Sequence, residues 1–204
     1  MRRLAILAAA AFLPAFAASA AQHEPEWPCV QRKVPELSLA QIWTGPELPP
    51  GAQQWKEDET VAGLVAELAQ RRMPLDEAER RIEDFARSLP ERERDERIAK
   101  LVEGLFDTMN RERSEVISAI GRYARKQLEL AALIRERASE LAATQQGNTA
   151  ASARRNEQLA LTTRIYTERM QNLTYVCEVP TLIEQRLYAL ARFIAPMTSK
   201  DAGP

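Results

Sequence analysis

Two cysteines and one histidine are the side chains with the most distinctive chemistry in this 204-residue chain. Cys29 and Cys177 allow only one intramolecular pairing. In an oxidising compartment that pairing is expected to be a disulfide, tying the N-terminal arm to the last third of the chain. The C-x-x-C spacing of a dithiol oxidoreductase is absent. His23 stands near the start, and cleavage after Ala20 would leave Ala21-Gln22-His23 as a new N-terminus. An amine, two deprotonated amides and an imidazole would then offer Cu(II) or Ni(II) a square-planar set of nitrogens. A triad, a Cys/His dyad or a Glu-x-x-His di-metal site needs a histidine inside the folded body, and no histidine is there to supply it.

The remaining polar groups point to no reaction. Asp76 with Glu77, and Glu83 with Asp84, are paired acids, but adjacent helix positions do not face each other. The seven glycines are scattered, so no phosphate-cradling loop is formed. Arg122, Arg125 and Lys126 make the best basic patch, flanked by acidic residues as on a solvated helix face. No cofactor is implied. The formal charge of −1 becomes −3 once Arg2 and Arg3 leave with a signal peptide, a balance that argues against nucleic acid as a partner.

The signal itself is read from Met1-Arg2-Arg3, an apolar run from Leu4 to Ala17 broken by Pro14, and Ala18-Ser19-Ala20 as a small-residue cleavage site. Residues 1–20 are therefore expected to be removed, leaving a periplasmic or secreted protein. No segment is apolar and long enough to span a membrane.

The element that must position everything else is one long helix, Glu91 to about Thr144, with no proline inside it. Val102, Leu105, Phe106, Met109, Val116, Ile120, Tyr123, Leu130, Ile134 and Leu141 recur three or four apart or at multiples of that spacing, as one buried helix face requires. Glu93 with Arg97, Glu96 with Lys100, Asp107 with Arg111 and Arg125 with Glu129 are four apart and opposite in charge, each pair adding about 0.2–0.5 kcal/mol. Gly104 and Gly121 each weaken the helix by about 1 kcal/mol, marking either a bend or a close packing contact.

Residues 21–56 hold six prolines and all three tryptophans, Trp27, Trp43 and Trp55, and read as an extended arm with one helical turn capped by Ser38. Its tryptophans either pack on the body or serve a partner. Residues 57–195 read as the helical domain and 196–204 as a flexible tail. Within that domain, helices are expected at about Glu59–Arg72 and Leu75–Leu89, the second burying Leu75, Ala78, Ile82, Phe85 and Leu89. A stop at Gly147-Asn148 and a helix from Ala151 imply an antiparallel hairpin, kinked or restarted at Pro180. With both arms rising about 1.5 Å per residue, Cys177 should face the neighbourhood of Ile117, and Ile194 that of Lys100. A two-helix tip near 125–165 then projects from a four-helix base and leaves Leu128, Leu130, Leu133 and Ile134 to be covered.

The fold expected is thus all-α: a long antiparallel, coiled-coil-like helical hairpin with shorter helices packed at its base and an extended Pro/Trp-rich N-terminal arm. The function expected is binding rather than catalysis, as a scaffold, adaptor or chaperone-like protein of the cell envelope. Trp27, Trp43, Leu128 and Leu133 are the residues expected to meet a protein partner or a second copy. Arg122, Arg125, Lys126 and Gln127 are the nearest charged set for the alternative, an all-helical exported enzyme similar in size to the secreted chorismate mutases, whose motifs are not found. Small periplasmic helical-hairpin chaperones are similar in expected shape. Their repeated Leu-Thr-x-x-Gln element is missing, since Leu161-Thr162-Thr163-Arg164 departs at its last position, so the likeness is one of fold alone.

Overall fold

A computed structural model describes residues 27–143 and 150–198. Of these, 83% are helical and none lies in a strand. The elements in order are α1 (Leu39–Ile42), a 3-10 segment (Pro50–Glu57), α2 (Glu59–Leu68), α3 (Leu75–Ser88), α4 (Glu91–Ala143), α5 (Ala150–Ile194) and a closing 3-10 turn (Ala195–Met197).

The long helix forms as its sequence dictates. α4 runs 53 residues, about 80 Å at 1.5 Å per residue, and starts directly after Pro90, whose carbonyl accepts from the Glu93 N–H at 2.9 Å. Glu91 and Glu93 in its first turn suit the positive end of the helix dipole. α5 returns antiparallel: the Arg113 guanidinium lies 3.4 Å from the Glu184 carboxylate, and further out the Tyr123 hydroxyl donates to the Arg169 carbonyl at 3.2 Å. Cys177 clusters with Ile120 and Val116, within a turn of the register expected for it, and Ile194 joins Ile98, Leu101 and Val102 in the basal core.

That core is the meeting of four helices and the arm. Val61, Val65 and Leu68 of α2, Ala78, Ile82 and Phe85 of α3, and Ile183, Leu187 and Leu190 of α5 close on the α4 stripe from Ile98 to Met109. Asp58 locks α2 to α4. Its carboxylate caps α2 by accepting from the Val61 N–H at 3.1 Å and accepts two bonds from the Arg97 guanidinium at 2.7 and 2.8 Å. Arg97 is thereby committed to Asp58 instead of to Glu93, its expected partner. The Arg97 bonds hold the Asp58 carboxyl below its usual range. The Glu96–Lys100 and Asp107–Arg111 pairs do form, at 2.7 and 3.5 Å.

Five local expectations are corrected. α2 ends at Leu68, not Arg72, because the buried Arg186 of α5 donates from Nε to the Leu68 carbonyl at 2.9 Å and from Nη1 to the Met73 carbonyl at 2.7 Å, fixing the turn between α2 and α3. Burial pushes the Arg186 pKa down from its ordinary value. Pro180 does not restart α5, which continues through it with the proline buried; lacking an N–H, it cannot donate to the Val176 carbonyl four residues earlier. Leu75 is exposed, since it occupies the first position of α3, one turn before the packed face begins at Ala78. The arm is less extended than expected: besides α1, the turn expected after Ser38 and closed by a capping box with Gln41, it holds a 3-10 segment at Pro50–Glu57. Trp43 offers a partner no surface, being 8% exposed, with its indole N–H donating to the Pro46 carbonyl at 2.7 Å.

The two glycines of α4 part company. A Cβ on Gly104 would lie 2.7 Å from Val65 Cγ2 and 2.9 Å from the Trp55 ring, whereas one on Gly121 would meet nothing within 4 Å. Gly104 is therefore a close packing contact between α4, α2 and the arm. Gly121→Ala is expected to raise stability by up to about 1 kcal/mol through helix propensity. Gly104→Ala is expected to lower it by about 1–3 kcal/mol through overpacking, despite the same propensity gain. Urea unfolding of the two variants checks the opposite signs.

Candidate functional site

The arm is strapped along α4 before it reaches the base. Asn110 accepts from the Leu37 N–H at 3.1 Å and donates to the Leu37 carbonyl at 3.3 Å, while Arg113 Nη1 donates to the Val34 carbonyl at 2.8 Å and Ser114 Oγ to the Pro35 carbonyl at 2.9 Å. These residues lie on one face at helical spacing of one and three to four, so one stripe of polar side chains reads the backbone of an extended segment. Pro35, which has no N–H, is held through its carbonyl alone.

Above the strap sits the disulfide. Cys29 and Cys177 are bonded, their Cα atoms 5.5 Å apart and each residue 7% exposed, in a small cluster with Ile120 and Leu173 that Trp27, Val116 and Tyr123 border. Trp27 is half-buried there, and its indole N–H donates to the Gln31 carbonyl at 2.7 Å. It packs beside the staple with part of its surface open. His23 and the signal segment 1–20 lie outside the described residues.

Beyond this cluster the hairpin is thin. On α4 no described residue after Gln127 is buried, and on α5 none before Leu173. Leu128 is 52% exposed, while Leu130, Leu133 and Ile134 are half-covered by the neighbouring helix. Of the two residues expected to meet a partner at the tip, Leu128 offers most of a side chain and Leu133 only an edge.

The groups nominated for catalysis are placed apart or already engaged. Arg122, Arg125 and Lys126 are exposed on α4, while Gln127 turns inward and is buried, so the four do not share one surface. Glu77 accepts from Arg80 at 2.8 Å and from Arg81 at 2.9 Å, bonds that keep its carboxyl below the usual range, and Asp76 lies 3.2 Å from Arg80. Asp84 and Glu83 flank Arg87 at 2.5 and 3.9 Å. The clefts are open ones. Two of them, about 500 and 460 Å³, run between the arm and α5 beside Leu37, Ile42 and Tyr188, and along the tip beside Arg137, Leu141 and Arg155. Among the described residues no group of three His, Cys, Asp or Glu is placed to hold a metal ion, and no helix is long and apolar enough to cross a membrane.

Three interior polar residues carry weight that sequence reading did not assign: Arg113, Arg186 and Gln127. Gln127 has neither amide atom partnered among the described residues. Its position was legible in principle, seven after Ile120 and three after Ala124 on the buried stripe, but its polarity hid it.

The staple closes a separation of 148 residues, which in the chain-entropy account is worth up to about 5 kcal/mol. The double variant Cys29→Ser/Cys177→Ser is expected to lose most of that in urea unfolding while its far-UV circular dichroism stays helical. Unchanged stability would mean that the Asn110, Arg113 and Ser114 strap holds the arm by itself. No family model, curated protein or solved structure matches the chain.

Proposed function

We propose that the chain acts by binding, as an exported helical scaffold, adaptor or chaperone-like protein that offers its hairpin tip to a protein partner in the cell envelope. The observation that carries this reading is the length of hairpin that outruns its own core. Two helices continue past Gln127 and Leu173 with no third element among the described residues to cover them, and Leu128 stands half-exposed on that stretch. A two-helix layer has too little interior to bury a stripe on each helix fully, so the uncovered remainder favours association. The basic cluster before the signal's apolar run and the small residues at 18–20 support export. The buried staple suits an oxidising compartment. Arg113 and Arg186, the arginines deep enough to bind an anion inside the bundle, donate instead to the carbonyls of Val34, Leu68 and Met73.

A non-reducing pull-down with the mature protein as bait from its own envelope fraction tests the proposal. One prey protein is expected to be retained by the parent and by Leu75→Asp, which alters an exposed leucine at the base, and to be lost with Leu128→Asp. Equal retention by all three baits, or no prey with an intact bait, would count against the tip as a binding surface. N-terminal sequencing of that bait before use, with Ala21 expected first, tests the export reading separately.

A further inference from the structure

The described large apolar residues that stand exposed are concentrated on one helix. Of the ten, Leu161, Ile165, Met170, Tyr175, Val176, Leu182 and Tyr188 belong to α5. Leu161, Ile165, Glu168, Asn172, Tyr175, Val179 and Leu182 follow one another at alternating spacings of four and three, which is the seam pattern of a coiled coil. This seam is separate from the one that α5 shares with α4, where Leu173 and Cys177 are buried. Continued toward the base, the same spacing leads past Leu182 to Arg186, which is buried. The same face of α5 is therefore covered at the base, where Val179 packs half-buried at the edge of the core, and left open above it from Leu161 to Tyr175, about four turns.

What fits the open part is fixed by its own order of residues. In an antiparallel helix pair, each a position meets a d position of the partner. With the two-fold axis beside residue 170, Leu161 meets Val179 of the other copy, Ile165 meets Tyr175, and Glu168 meets Asn172, and each layer recurs beyond the axis. Apolar layers thus fall on apolar layers at both ends. In the middle the Asn172 amide faces a carboxylate to which it can donate. The flanks agree: Arg164 of one copy comes beside Glu178 of the other, twice over, and Arg169 lies next to the central Glu168 carboxylates. Arg164 already reaches Glu168 at 2.8 Å within its own helix, so the two acids would share it. An isologous interface needs this kind of self-matching, in which residue i meets j and j meets i. An Asn at a core position gives up stability and selects one register.

We propose that the protein forms an antiparallel homodimer through the α5 face from Leu161 to Val179, a contact about 27 Å long. The surface is distinct from the tip leucines of α4, and the proposal does not depend on the identity of any envelope partner.

The test is sedimentation equilibrium of the mature, oxidised protein. A monomer–dimer equilibrium at micromolar concentration is expected. Ile165→Asp, at an exposed position, should weaken it about thirtyfold or more, with the circular dichroism and urea midpoint of the parent. Arg164→Glu should weaken the dimer, and Arg164→Glu/Glu178→Arg should restore it. A third arm, Leu161→Cys/Val179→Cys, should yield a disulfide-linked dimer under mild oxidation whose peptide map joins position 161 of one copy to position 179 of the other; links between like positions would mean parallel pairing and overturn the proposal. A monomer at all concentrations up to about 100 µM, a dimer indifferent to Ile165→Asp, or a charge reversal that fails to restore would each overturn the proposal.

Discussion

A helix of 53 residues carrying an apolar stripe for most of its length must have that stripe covered, and the rest of the chain is arranged around meeting this need. Intrinsic propensity and i,i+4 ion pairs contribute tenths of a kcal/mol each, too little to hold such a rod straight in water. α5 covers α4 from end to end. Near the base α2, α3 and the arm add a second side to the cover, and there the buried residues cluster from Ile98 to Met109. Past Ala124 and Gln127 the cover among the described residues is α5 alone, and burial falls from complete to partial. Core and tip are one pair of helices that differ only in what else lies against them.

Polar side chains decide how the smaller pieces are fitted. Arg186 reaches from α5 to the carbonyls of Leu68 and Met73, and Arg113 and Asn110 reach from α4 to Val34 and Leu37. In each case a long side chain supplies the donors that an irregular, partly buried backbone lacks. A guanidinium suits that role, because its fork can serve two carbonyls at once and keeps its charge when burial lowers its pKa. The disulfide adds a covalent limit where this polar strap ends, so the arm is held at Cys29, along 34–37 and through Trp43 and Trp55.

The long helices were legible because their periodicity persists over many turns, and the hairpin register followed from arithmetic on the rise per residue. The cysteine pairing was legible because only two cysteines exist. Features set by distant residues were not. The end of α2 at Leu68 depends on Arg186, which lies 118 positions away, and a local reading has no access to it. Pro180 looked like a breaker because its effect was judged alone; in place, it forfeits one carbonyl partner within a helix held by packing on both sides. Gly104 was recognised as special, but the choice between bend and contact needed Val65 and Trp55. At the tip, Leu128 was legible as uncovered, whereas Gln127, grouped with Arg122, Arg125 and Lys126 for the enzyme alternative, is interior and apart from them.

Hydrogen exchange of the mature protein in dilute solution, resolved along α4, tests most directly the claim that one continuous helix passes from a fully covered base to a singly covered tip. Amides from about Ile98 to Ala124 are expected to exchange slowest, near the rate of global unfolding, and those from Leu128 to Ala143 orders of magnitude faster. Uniform slow exchange through Ala143 would contradict the account, since it would require a cover over the tip that the described residues do not provide.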